Sequence, residues 1–244
     1  MRSLLAGLSL LLLIFVIAVA NVLASQPRLS SSTGEKIVLI EKPLPLPGYP
    51  GCVARVDQLA PDPLHFDEGD TRLRDDRVIV VSKDERRIML FSQGTIRRDR
   101  HNGAPDCWKV ALGYRDDGQD AGVFDKVMQG DRRTPEGWFQ TSDKPWSSYH
   151  GAIQVHYPGE RHAKTALARG SITRLQYDAI ALAEKRGTVP PQDTSLGGDI
   201  LLHADGPGSS YDWTFGCIAL NNADIDELRS ALPDGMRTWI LILP

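Results

Sequence analysis

The stretch Arg77–Gly94, "RVIVVSKDERRIMLFSQG", decides the fold. Val78 to Val81 is an unbroken β-branched run, stiff at χ1 and suited to a buried strand. Ile88 to Phe91 answers it, and the charged "KDERR" between them predicts a solvated turn. The stretch therefore predicts a β-hairpin at the head of a β-rich domain.

Further along the chain, "CWKVALG" predicts a short strand ending at Gly113. In "GDRRTPEGWFQT", Pro135 and Gly137 occupy the second and fourth positions of a type I turn that leads into a strand. "GAIQVHYP" alternates, with Ala152, Gln154 and His156 on one face and Ile153, Val155 and Tyr157 on the other. A helix is expected from Ser171, as N-cap, to about Arg186, burying Ile172, Leu175, Ala179 and Leu182. "DILLH" is a strand, a short helix follows Asn222, and "TWILIL" closes the chain as a strand. Strands with two helices predict a mainly β domain.

A formal net charge of −3 with interspersed signs argues against a nucleic-acid partner, which calls for a basic stripe. Residues 1–24 combine Arg2, a long apolar run and the small-residue end Val22-Leu23-Ala24, the pattern of a signal peptide. The apolar run is long enough for residues 4–24 to serve instead as an uncleaved membrane anchor. Residues 25–76, with "EKPLPLPGYPG", are expected to be a Pro/Gly-rich extension or linker, and 77–244 the functional domain.

Export places the three cysteines in an oxidising space. Cys52 and Cys107 both sit in turn-like settings and are expected to pair, closing a loop of 54 intervening residues. Cys217, in "TFGCIALNN" (Thr214–Asn222), is left over, 14 positions after His203 in "ILLHADG". A thiol on a loop between a strand and a helix, with a histidine at that strand's end, is a candidate nucleophile and base. Gly216 lets the backbone turn sharply, and the N–H groups of Phe215, Gly216 and Cys217 are candidate oxyanion donors. The histidines at 150, 156, 162 and 203 lack the close spacing of a zinc motif, so no metal is expected. "RRDRH" (97–101) reads as a solvated loop.

These motifs, in this order, resemble the L,D-transpeptidase (YkuD-type) catalytic domain. "PPQDTSLGGDILLHADG…TFGCIALNNADIDEL" looks like its active-site region, "VIVVSKDERRIMLF" its opening hairpin, and "GDRRTPEGWF" its Gly/Asp-Arg-Thr-Pro-x-Gly-x-Phe segment. "SSYHGAIQVHYP" resembles the substrate-side strand, which makes Tyr149 and His150 candidates for substrate contact. The resemblance implies a mixed-sheet β-sandwich with few helices and no cofactor. It implies Cys217 as nucleophile with a lowered thiol pKa, His203 as base, Thr214 as the motif Ser/Thr, and oxyanion donors at Gly216 and Cys217. The implied substrates are peptidoglycan stem peptides, with another stem peptide, a D-amino acid or a wall-anchored protein as acceptor.

The chain departs from the family pattern in three places. Ala-Asp-Gly follows His203 where Gly is usual, Phe215 stands where many members have His, and Ala219 replaces a frequent Arg. Members that resemble hydrolases of peptidoglycan linkages also carry Ala there, so a cysteine hydrolase is an alternative expectation. A non-catalytic wall-binding protein is a second.

Overall fold

The strands predicted from Arg77–Gly94 form as an antiparallel hairpin within the sheet. The computed structural model describes residues 45–59, 69–114 and 124–244. β1 (Val78–Ser82) and β2 (Arg87–Ser92) pair antiparallel, Val78 facing Phe91 and Ser82 facing Arg87. β3 (Thr95–Ile96) and β4 (Cys107–Lys109) extend the β2 side. The C-terminal strand β9 (Trp239–Leu243) lies parallel to β1, with Val78 opposite Trp239. β5 (Gly137–Asp143) then serves two neighbours. Its first half pairs with β9 and its second half with β6 (Ile153–Val155), so the sheet curls. β7 (Leu201–His203) and β8 (Ile218–Ala219) complete the order β3-β2-β1-β9-β5-β6-β7-β8.

The central strands are buried on both faces, which explains their continuous apolar runs. Ile79, Val81, Ile88, Leu90, Ile240 and Ile242 face the main core beneath the helices. Val78, Val80, Met89, Phe91, Leu241 and Leu243 face a second core with Cys52, Val53, Leu59 and Leu73. Residues 45–59 and 69–76, from the Pro/Gly-rich extension, supply that second core. Cys52 and Cys107 are joined by a disulfide with Cα atoms 6.3 Å apart, as expected from the sequence. Arg72 adds a polar clasp, its guanidinium 4.1 Å from the Trp138 ring centroid and paired with Asp70.

Among the described residues three α-helices pack on the main core, one more than predicted. α1 (Glu160–Ala168) was not foreseen, because its buried face is only His162, Ala163 and Ala166. α2 (Arg174–Arg186) starts at a capping box on Thr173 and Gln176 rather than at Ser171. Its phase also differs from the prediction. Ile180 and Ala183 are buried, whereas Leu175 and Leu182 are exposed. α3 (Asn222–Ala231) buries Ile225 and Leu228, with Leu232 just beyond its end, as predicted.

Two local expectations are corrected. Lys83, placed in a solvated turn, is fully buried, and its Nζ donates to Glu136 Oε1 (2.7 Å) and to the Phe124 and Thr134 carbonyls. Three acceptors are what an interior ammonium requires. Thr134–Glu136 is not a turn but irregular chain leading into β5, which begins at Gly137. The reversal lies upstream, where the Asp131 carboxylate gathers the N–H groups of Val127, Met128 and Arg133.

The signal or anchor segment, 1–24, lies outside the described residues, as does 25–44. Among the described residues no helix is long and apolar enough to cross a membrane.

Candidate active site

β7 and β8 are adjacent and parallel, with Leu202 opposite Ile218 and His203 opposite Ala219. Side chains alternate along a strand, so Leu202, Ala204, Ile218 and Leu220 enter the main core. His203 therefore falls on the opposite face of β7, and Cys217 immediately precedes β8, the strand that pairs with β7. Thirteen residues of intervening sequence fold away to bring the histidine and the thiol to one edge of the sheet.

His203 is held on every side. It is 2% exposed. Its Nδ1 lies 2.8 Å from the Ala204 carbonyl, which can only accept, so Nδ1 carries the proton and Nε2 is the free acceptor. Tyr149 stacks on the imidazole, ring centroids 4.3 Å apart, and Trp213 stands perpendicular to it at 5.8 Å. Burial lowers the His203 pKa, against the Ala204 hydrogen bond and the Asp205 carboxylate, which favour the charged ring. The neutral form, with its basic nitrogen open, therefore prevails at neutral pH.

Cys217 is the free cysteine, and its residue is half-buried. Its Sγ donates to the Asp199 carbonyl at 3.4 Å. Enclosure of the sulfur pushes the thiol up to about 11, although the Leu201 N–H favours the thiolate. This is opposite to the lowered pKa that the sequence led us to expect. The cations Lys126 and Lys144 exert only lesser pulls, so desolvation dominates. Asp199 itself is held by Lys144 Nζ (2.7 Å) and by Gln192 Oε1, which accepts its N–H (2.7 Å).

The "TFGC" turn is shaped by its smallest residue. Gly216 has φ +119°, and a Cβ there would lie 2.6 Å from the Arg133 carbonyl. Thr214 is buried and braces the turn, its Oγ1 donating to the Cys217 carbonyl (2.7 Å) and accepting the Gly216 N–H (3.2 Å). That N–H is therefore engaged within the turn. Phe215 is 71% exposed, and the Arg132 guanidinium lies 4.6 Å from its ring centroid. Ala219 is buried and exchanges both backbone hydrogen bonds with Ala111.

The structure thus seats Tyr149 on His203 at the end of β7, and Thr214, Phe215 and Gly216 in the turn that carries Cys217 into the paired strand β8. The His150 ring turns away, its Nε2 2.8 Å from Asp226 of α3. Sequence reasoning missed Trp213 and Asp199. An aromatic within the gap between His203 and Cys217 was the available signal for Trp213; Asp199 acts through its backbone carbonyl, which no residue type announces. Among the described residues no cluster of three metal-ligating side chains occurs.

Residues 76–241 match the YkuD family, the L,D-transpeptidase catalytic domain. The chain belongs to this family. Its solved relatives are distant. Pgp2, the helical cell shape determining protein from Campylobacter jejuni, is 21% identical over 71% of this chain and 51% of its own (TM-score 0.41). Bd1075 from Bdellovibrio bacteriovorus is 21% identical over 74% and 51% (TM-score 0.37). L,D-transpeptidase 1 from Mycobacterium tuberculosis is 14% identical over 70% and 63% (TM-score 0.32). The chain spans about half the length of the first two. No curated protein matches it. In this YkuD domain the fold is mainly β, with a mixed, curled sheet and three α-helices among the described residues.

Proposed function

We propose that this chain is an exported cysteine acyltransferase acting on peptidoglycan stem peptides in the cell envelope. The observation that supports this reading is the pairing of β7, which ends at His203, with β8, which Cys217 immediately precedes, together with the His203 tautomer fixed by Ala204. His203 Nε2 takes the Cys217 proton as sulfur attacks the carbonyl of the L-centred third residue. The C–N bond to the terminal D-residue breaks, and the imidazolium returns the proton to the departing amine. An acceptor amine then attacks the thioester and releases Cys217. Starting from a thiol near 11, the proton leaves together with bond formation rather than from a standing thiolate.

The N–H groups of Phe215 and Cys217 are assigned to the oxyanion, because Thr214 engages that of Gly216. Tyr149, which covers His203, is the substrate-facing aromatic; His150 is committed to Asp226. Arg132, over the exposed Phe215 ring, is positioned to meet a stem-peptide carboxylate. The chemistry of these residues needs no cofactor.

A second outcome is favoured by Ala219. It lies buried in a tight bridge with Ala111, where a long cation would otherwise brace the site or an acceptor carboxylate. Water is then the competing acceptor, giving a carboxypeptidase or a linkage-cutting hydrolase through the same thioester.

Intact-mass analysis tests the shared first step. With a stem tetrapeptide, the protein should gain the mass of the tripeptide acyl group on Cys217, and Cys217→Ala should gain none. A protein that releases no D-residue and takes no adduct would be a wall-binding module.

A further inference from the structure

We infer that Trp213 is a positioning residue that couples the two halves of the proposed dyad, holding the His203 ring and the approach to Cys217 in one arrangement. This rests on the Cys217/His203 assignment above. Trp213 lies inside the segment that joins them, and it grips both ends.

Toward His203, the Trp213 indole stands at 89° to the imidazole with centroids 5.8 Å apart. Its Nε1–H donates to the Gly208 carbonyl at 2.9 Å. Its six-membered ring lies on Gly206, where a Cβ would sit 2.9 Å from Cη2. The segment leaving His203 is thereby folded back onto the indole. Toward Cys217, the backbone N–H groups of Trp213 and Thr214 donate to the Leu112 carbonyl, and Tyr114 N–H donates to Thr214 O. Thr214 then bonds the Cys217 carbonyl. One residue therefore ties the exit from the histidine to the entrance to the cysteine.

The histidine needs such a wall. The terminal torsion of an imidazole is broad and roughly twofold, so one hydrogen bond at Nδ1 leaves the ring free to rock. Tyr149 closes one side of the ring and Trp213 another, which aims Nε2. Trp213 also helps exclude water from His203. The titratable groups facing that ring are Asp205 from the following turn and Tyr149 from the β5–β6 loop. Of these, Asp205 is the one that opposes the effect of burial on His203.

The test compares Trp213→Phe, which keeps an aromatic ring, with Trp213→Leu, which keeps bulk without one. His203 ring titration is followed by NMR, alongside kcat and KM on a stem tetrapeptide. We expect Trp213→Phe to hold kcat within threefold and to keep His203 titrating below its ordinary value. Trp213→Leu should raise the His203 titration by half a pH unit or more and cut kcat tenfold or more, with KM within twofold. An unchanged His203 titration in Trp213→Leu overturns the proposal. So do equal kcat losses in both variants with a shared fall in Tm, which would mark general packing. Iodoacetamide labelling of Cys217 in His203→Ala tests the dyad separately. Wild-type labelling there would overturn the dyad, while the NMR comparison still decides whether Trp213 governs the His203 ring.

Discussion

The two cysteine regions of this molecule are built to opposite ends. Cys52 and Cys107 lie at 1% and 9% exposure, bonded to each other in the second core. Around them stand the apolar side chains of Val53, Leu73, Met89 and Phe91. Cys217 has a carbonyl accepting its proton, a glycine turn and a strand beside its own that ends in a histidine. The same element thus serves once as a staple and once as a reactive centre. What separates the two uses is the neighbouring donors and acceptors; burial alone does not, since it encloses the Cys217 sulfur too.

The sharpest way to break this comparison is to exchange the losses. Cys217→Ala should lower turnover on the order of 10³-fold or more, with a Tm within a few degrees of wild type. If a scan instead shows Cys217→Ala unfolding as readily as a disulfide variant, the division fails. His203→Ala should cost about 10²- to 10⁴-fold in kcat, measured on the same substrate.

The Cys52→Ser/Cys107→Ser double variant should show the converse. A loop of 55 residues' separation corresponds to about 4 kcal/mol in the chain-entropy view. Urea unfolding should reveal most of that loss, while iodoacetamide labelling of Cys217 stays unchanged below the new midpoint.

Acid sharpens the contrast at a third place. Burial and the Arg237 charge lower the His156 pKa to about 4, from an ordinary 6.5. The unfolded chain then binds a proton that the folded chain resists. His156 therefore imposes no penalty above pH 6.5, and stability falls as pH drops toward 4, by about 3 kcal/mol at most. Urea midpoints at pH 7 and pH 4.5 should show it, and His156→Gln should flatten the slope. The smallest effect belongs to the exposed His150–Asp226 pair: Asp226→Asn should shift unfolding by under about 1 kcal/mol, with Cys217 labelling untouched.

Much of this was legible in the sequence where one residue type repeats at one period. The β1–β2 hairpin and β9 carry continuous β-branched or apolar runs, and no helix competes for such a stretch. α1 was hidden because alanines and a histidine form its inner face, which leaves the hydrophobic period weak. In α2 the largest apolar residues misled, since Leu175 and Leu182 face water while Ile180 and Ala183 meet the core. Lys83 was misplaced because its burial depends on Glu136, 53 residues away. At the site, spacing and family motif pointed to Cys217 and His203. The direction of the thiol's shift was not legible, because it depends on how closely segments around Asp199 and Leu201 enclose the sulfur.

The most direct test of the central claim is a product analysis by mass spectrometry. Wild type and Cys217→Ala would each be incubated with a defined disaccharide tetrapeptide, with and without isotopically labelled D-alanine. The proposed acyl transfer predicts a labelled tetrapeptide or a cross-linked dimer from wild type, and neither from Cys217→Ala. Tripeptide alone would retain the Cys217 thioester but replace the amine acceptor with water. No product from wild type, or the same products from Cys217→Ala, would contradict the assignment of Cys217 as the acyl-carrying residue.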